Sequence, residues 1–185
     1  MVLKEKGKIF DESGVSKAIK RIAHEIIEQN KSMEELAIIG IRCRGAFLAE
    51  RIQAQIKEIS GKDLPLGILD ITLYRDDLTK IAEQPVVHKT EIKFKLEDRA
   101  IVLVDDVLFT GRTIRSALDE LIDFGRPKAI QLAVLIDRGH RELPIRPDYI
   151  GKNVATALDE VVEVRMKEVD GKDEVVLCQK KEQKS

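Results

Sequence analysis

The 185-residue sequence predicts an α/β fold, a mainly parallel sheet with helices on both faces. Three observations predict it. The apolar runs at 37–41, 100–104 and 129–136 are short and nearly continuous rather than alternating, as strands covered on both sides are. Segments with apolar residues at helical spacing separate these runs. Hydrophobic residues make up 43% of the chain and charged residues 35%, enough of each for a solvated surface around a real core.

The elements follow in order. Val15, Ile19, Ile22, Ala23, Ile26 and Ile27 mark an amphipathic helix over 15–29, with Ser13 as its expected N-cap. Residues 37–41, Ala-Ile-Ile-Gly-Ile, form the first buried strand. Ala46, Leu48, Ile52, Ile56 and Ile59 place a helix over 46–59, stopped by Gly61. A second strand spans 66–73. Residues 74–90 are polar and irregular, and a connection of that length is usually functional. Residues 100–104, Ala-Ile-Val-Leu-Val, are the strongest strand signal in the chain. A helix over 113–124 ends at Gly125-Arg126-Pro127, and a strand follows over 129–136. Weaker strands at 161–166 and 174–178 are expected to be antiparallel and partly exposed. With no repeat or linker in sight, residues 1–185 read as a single domain.

Several classes are excluded. The formal net charge is −1, so nucleic-acid contact requires a local patch rather than a wholly basic protein. The two cysteines, Cys43 and Cys178, have neither metal-ligand spacing nor a disulfide framework, which suits the cytoplasm. No apolar run is long enough to span a membrane, and the residues after Met1 do not form a signal peptide.

The chemistry is concentrated in 101–113, Ile-Val-Leu-Val-Asp-Asp-Val-Leu-Phe-Thr-Gly-Arg-Thr. A buried strand runs out into Asp105 and Asp106. Val107, Leu108 and Phe109 lead into Thr110-Gly111-Arg112-Thr113 and then a helix. Ligands bind beyond the carboxyl ends of strands in an open α/β sheet. Backbone N–H groups of the loop and the helix N-terminus favour a phosphate. Gly111 admits close approach of the backbone, and the Thr110 and Thr113 hydroxyls add hydrogen bonds. The two carboxylates suit a ribose diol and repel a bare phosphate, so the ligand carries both sugar and phosphate. The plainer alternative, surface acids before a capping loop, does not explain Thr-Gly-x-Thr at this spacing. A Walker-type loop is excluded, since the Gly-Lys pair and the glycine spacing are missing.

This segment resembles the ribose-phosphate signature of the type I phosphoribosyltransferases. Residues 70–78 and 131–153 extend the likeness to the bacterial pyrimidine-operon regulators of that family, which also have uracil phosphoribosyltransferase activity. The similarity covers roughly residues 8–155, and the tail at 165–185 departs from it. The resemblance implies a type I phosphoribosyltransferase fold with a small hood. It also implies that 5-phosphoribosyl 1-diphosphate and uracil give UMP and diphosphate with Mg2+. Asp105 and Asp106 would meet the metal through ribose and water. Arg42, Cys43, Arg44 and Gly45, after the first strand, correspond to a diphosphate-binding loop. Residues 74–90 correspond to a mobile active-site loop, in which Arg75 could reach the diphosphate while Asp76 and Asp77 hold the loop or the metal. Asp137 and Arg138 would flank the base, with the Arg138 side chain as a lid.

A regulatory role implies RNA. Lys17, Lys20, Arg21 and His24 share one helix side. His140, Arg141, Arg146 and Lys152 form a second basic set, and together they suit the hairpin of a pyr leader mRNA. Glu25 and Glu28 dilute the first set, and 4% aromatic content argues against a base-stacking platform. Two functions of different kind are therefore open. One is a UMP-responsive regulator that is also an enzyme, and the other a salvage uracil or purine phosphoribosyltransferase without RNA regulation. A homodimer or higher even oligomer is expected from the resemblance.

Overall fold

The structure, a computed structural model, describes residues 2–72 and 89–181. In chain order the elements are β1 (Val2–Phe10), α1 (Glu12–Gln29), β2 (Leu36–Ile41), α2 (Arg44–Ser60), β3 (Leu66–Leu69) and β4 (Ala100–Leu108). They continue with α3 (Arg112–Phe124), β5 (Ala129–Asp137), β6 (Tyr149–Asn153), β7 (Glu160–Arg165), the four-residue α4 (Lys167–Asp170) and β8 (Glu174–Lys181).

A five-stranded sheet in the order β3-β2-β4-β5-β6 forms the centre, and each neighbouring pair is parallel. Alternate residues of its strands face opposite sides. Leu36, Ile38, Val102 and Val104 pack with α1 and α2. Ala37, Ile39, Ile101 and Leu103 pack with α3 on the other face. Both faces are covered, which is why the strands read as continuous apolar runs.

Local chemistry sets the boundaries. The N-cap of α1 is Asp11, not Ser13: its carboxylate accepts from Gly14 N at 2.7 Å, and Ser13 lies in the first turn. Gly61 ends α2 as expected, in the left-handed region at φ 71° with its N–H on Lys57 O. β3 stops at Leu69 instead of reaching 73, because Asp70 turns the chain. Its Oδ1 accepts from Thr72 N at 2.9 Å and from Thr72 Oγ1. β4 runs further than expected. Asp105, Val107 and Leu108 still pair with β5, so the two acids stand on the strand and the loop begins at Phe109.

A second sheet of three antiparallel strands, β1-β8-β7, forms the small hood. The strands expected in the tail are present as an antiparallel pair. β1 was not anticipated. Four of its nine residues are charged, and its partner strand is β8, with Leu3 opposite Lys180. Ion pairs link it to the other two strands, Lys8 with Glu174 at 3.0 Å and Glu5 with Arg165 at 2.6 Å, while Ile9 and Phe10 pack against the core. β6 also escaped prediction, although Tyr149 at its start is buried beside β5. Among the described residues no helix is long and apolar enough to cross a membrane.

Two glycines let α2 lie tight against the sheet. A Cβ on Gly40 would stand 2.6 Å from Ala46 Cα, and one on Gly45 would stand 2.6 Å from Val104 O. Gly40→Ala is therefore expected to destabilise the chain by about 1–3 kcal/mol in urea unfolding, the usual cost of overpacking. Gly7→Ala, with nothing within 4 Å, should leave the midpoint unchanged.

Candidate active site

The carboxyl ends of β2, β3 and β4 converge on one rim of the central sheet, where ligands of open α/β folds bind. A cavity of about 400 Å³ lies there. Its walls are Ile41–Arg44 after β2, Asp70–Thr72 after β3, Asp105–Val107 on β4, and Thr113 at the start of α3. Two segments singled out in the sequence, 42–45 and 105–113, thus meet across one space. Gly45 makes the meeting possible, since any side chain there would strike the backbone of Val104. The peptide bond between Arg42 and Cys43 is cis.

Asp105 is buried and its Oδ1 accepts from Asp106 N at 3.0 Å, while Asp106 Oδ1 accepts from Val107 N at 2.9 Å. Burial pushes the Asp105 carboxyl well above the usual carboxylate range, and the neighbouring Asp106 adds to the rise. Burial also raises Asp106, but the hydrogen bonds it accepts and the Arg44 guanidinium hold it back. Burial thus opposes charge on both adjacent acids, most strongly on Asp105.

The loop after β4 is braced from outside. Thr110 O accepts from Glu142 N at 3.0 Å and Leu143 N at 3.2 Å. Gly111, at φ 94°, lies under Leu143 and Ile145, so both its backbone angle and its lack of a side chain are needed. Arg112 points away from the cavity, Nε to Glu142 at 2.7 Å. The α3 N-terminus behind the loop carries the N–H groups that a helix cannot satisfy internally.

Several expected residues are engaged elsewhere. Arg138 is buried and does not form a lid. Its guanidinium donates to Glu160 O at 2.8 Å and lies 4.0 Å from the Phe109 ring centroid, supporting that ring from beneath. Asp137 accepts from Gly139 N at 2.9 Å and pairs with Arg141. Arg141 also donates to Phe109 O at 2.8 Å and Ile145 O at 3.0 Å, so it ties the 137–145 turn to the loop after β4. His140 Nε2 is 2.6 Å from Thr156 O. Of the basic residues singled out for RNA, Lys17, Lys20, Arg21, His24, His140, Arg146 and Lys152 are exposed and Arg141 is half-buried. Arg21 donates to Ile150 O and Gly151 O, which brings the basic side of α1 beside Lys152 on β6. Arg75, Asp76 and Asp77 lie outside the described residues.

Asp70–Thr72 belong to the 70–78 segment that carries the family likeness, but no site role was expected of them, because a strand extended to 73 hides the turn at the sheet rim. Thr90 and Glu120 were not expected at the site either. Asp70 N donates to Thr90 Oγ1 at 3.0 Å, and Thr90 Oγ1 donates to the buried Glu120 at 2.6 Å. An acid three residues from Ala117 on the apolar stripe of α3 was the clue.

A sheet whose strand ends carry this pair of acids, this loop and this facing turn defines a phosphoribosyltransferase, and the phosphoribosyl transferase domain matches residues 6–178. The chain belongs to that family, and its fold agrees. The hypoxanthine phosphoribosyltransferase of Trypanosoma cruzi superposes with a TM-score of 0.72 at 15% identity, covering 96% of this chain and 98% of that one. A hypoxanthine phosphoribosyltransferase from Staphylococcus aureus gives 0.70 at 18%, covering 93% and 92%. Within the family the chain falls among the PyrR proteins. It is 58% identical to the bifunctional protein PyrR of Pelotomaculum thermopropionicum, over 95% of this chain and 97% of the relative. It is 61% identical to that of Acetivibrio thermocellus, over 90% and 91%. The match through Cys178 corrects the expectation that likeness ends near 155, because most of the tail builds the hood.

The raised Asp105 carboxyl makes stability pH-dependent. A carboxyl whose folded pKa is raised contributes fully below its unfolded value and loses that contribution as the pH rises through the folded value. Asp105→Asn should therefore be more stable than wild type at neutral pH, by about 1 kcal/mol. The gap should close below about pH 4, where the acid is protonated in both states. Urea midpoints across this range measure it.

Proposed function

We propose that the chain transfers phosphoribosyl from 5-phosphoribosyl 1-diphosphate to uracil, giving UMP and diphosphate, and that it is also a UMP-responsive RNA-binding regulator of a pyrimidine operon. The observation that carries the enzymatic reading is the cavity where Asp105 and Asp106 face the Arg42–Gly45 turn. Asp106 and Asp105 accept hydrogen bonds from the ribose diol. The loop Phe109–Thr113 and the start of α3 hold the 5-phosphate, and the turn before α2 holds the diphosphate. As diphosphate leaves, ribose carbon 1 gains positive character, which the anionic Asp106 stabilises at short range. Positioning and charge do the work, with no protein nucleophile.

The donor set fits magnesium held mainly by substrate and water, since Asp106 lines the cavity and no cluster of three acidic, histidine or cysteine ligands occurs among the described residues. Bound there by Asp105 and Asp106 through ribose and water, the ion would neutralise diphosphate charge. Uracil falls to the turn after β5, where Asp137 and the backbone through Gly139 are at hand. The basic strip of Lys20, His24 and Lys152, with Arg146, supports the RNA reading. An even-numbered assembly and a cytoplasmic location accompany it.

Labelled uracil with 5-phosphoribosyl 1-diphosphate and magnesium should yield UMP. If no base, pyrimidine or purine, is converted, the enzymatic reading fails. Asp106→Asn should lower kcat/KM by about 100-fold or more, as loss of one preorganised charged contact does. Titration of pyr leader RNA tests regulation. Lys20→Glu with Lys152→Glu should weaken binding by about tenfold and leave turnover unchanged. RNA binding that ignores both UMP and sequence would leave a salvage enzyme only. Arg141→Ala should impair both activities, because it braces the site as well as carrying charge.

A further inference from the structure

Arg44 is the first residue of α2 and lines the cavity, yet its guanidinium is held from outside the central sheet. It donates to Asp170, the last residue of α4, through Nη2 at 3.0 and 3.2 Å and through Nε at 3.3 Å. The Asp170 carboxylate is fixed in turn, because its Oδ2 accepts from Met166 N at 2.8 Å. Two turns along α2, Arg51 makes the equivalent grip on the same region, pairing with Glu168 at 2.7 Å and Asp173 at 2.8 Å. The hood therefore holds α2 at two points. One is at the cavity and the other is not.

The fork on Asp170 fixes the plane and the position of the Arg44 guanidinium, as bidentate pairing does. Burial opposes charge on Asp170, but the Met166 N–H and the Arg44 guanidinium hold its carboxyl below the usual range.

We propose that Asp170 is a positioning residue for phosphoribosyl transfer: it holds Arg44 at the diphosphate end of the cavity. This rests on the proposed function above. With Asp170 neutral, Arg44 loses that two-point grip. The cavity then loses a fixed cation for diphosphate, while the uracil side is untouched.

The test compares Asp170→Asn with Asp173→Asn in the full chain. Both loosen the hood from α2, but only the first frees Arg44. Asp170→Asn should raise KM for 5-phosphoribosyl 1-diphosphate about 5- to 10-fold, with kcat within about twofold and KM for uracil unchanged, the signature of lost ground-state binding. Asp173→Asn should lower Tm comparably and leave both KM values as they are. Asp170→Glu, which keeps the charge, should recover part of the loss. An unchanged KM in Asp170→Asn, or an equal rise in Asp173→Asn, overturns the proposal. Should Asp170→Asn fail to fold, Arg44→Gln must raise the same KM, and an unchanged value there overturns it equally. Calorimetric titration with inorganic diphosphate and magnesium separates this inference from the choice of base. A wild-type protein that binds diphosphate but converts no uracil contradicts the uracil reading, while the Asp170→Asn affinity still decides on Asp170. A wild-type protein that binds no diphosphate overturns both.

Discussion

The start of α2 touches the end of β4 because Gly45 has no side chain, and the active-site rim depends on that contact. Backbone meets backbone at Val104, so the turn at 42–45 and the acids at 105–106 share one cavity. The same strand-to-helix design appears twice, at β2–α2 and at β4–α3. Each ends a buried strand beside a helix N-terminus, and each offers N–H groups to an anion. Two anion sites side by side, with carboxylates between them, suit a molecule carrying phosphate at one end and diphosphate at the other. Neither turn would say as much alone.

Electrostatics at this rim are arranged against stability. Asp105 is buried where its charge is unwelcome, beside another acid. A core that needed only to be stable would hold an amide or an apolar residue at that position. The proposed role explains the cost: a ribose diol would need an acceptor held without slack, and a buried strand end supplies one.

The central fold was legible in the sequence because its signals are local. Continuous apolar runs located β2, β4 and β5, and 3.6-residue spacing located α1, α2 and α3. The acids of β4 and the glycine-threonine loop were legible for the same reason, since their chemistry sits in consecutive residues. What was missed depends on distant partners. β1, with four charged residues among nine, gives no strand signal until β8 is set opposite it. Arg138 reads as a lid over the base until the Glu160 carbonyl and the Phe109 ring are seen to hold its buried guanidinium. That Arg141 also braces the loop after β4 is invisible until Phe109 and Asp137 are placed beside its guanidinium. Periodicity says which side of an element is wet, but not which distant carbonyl an arginine will find.

The pairing of β1 with β8 bears on how the molecule is made. Leu3 waits for Lys180, so β1 has no strand to pair with until β8 has been made. The parallel sheet, whose last strand ends at Asn153, needs no residue of β8 and can close first. The hood is then the final piece to assemble, and α4 arrives with it. During synthesis Arg44 is therefore without its acidic clasp until the closing step, and the nascent protein carries a formed but unset cavity.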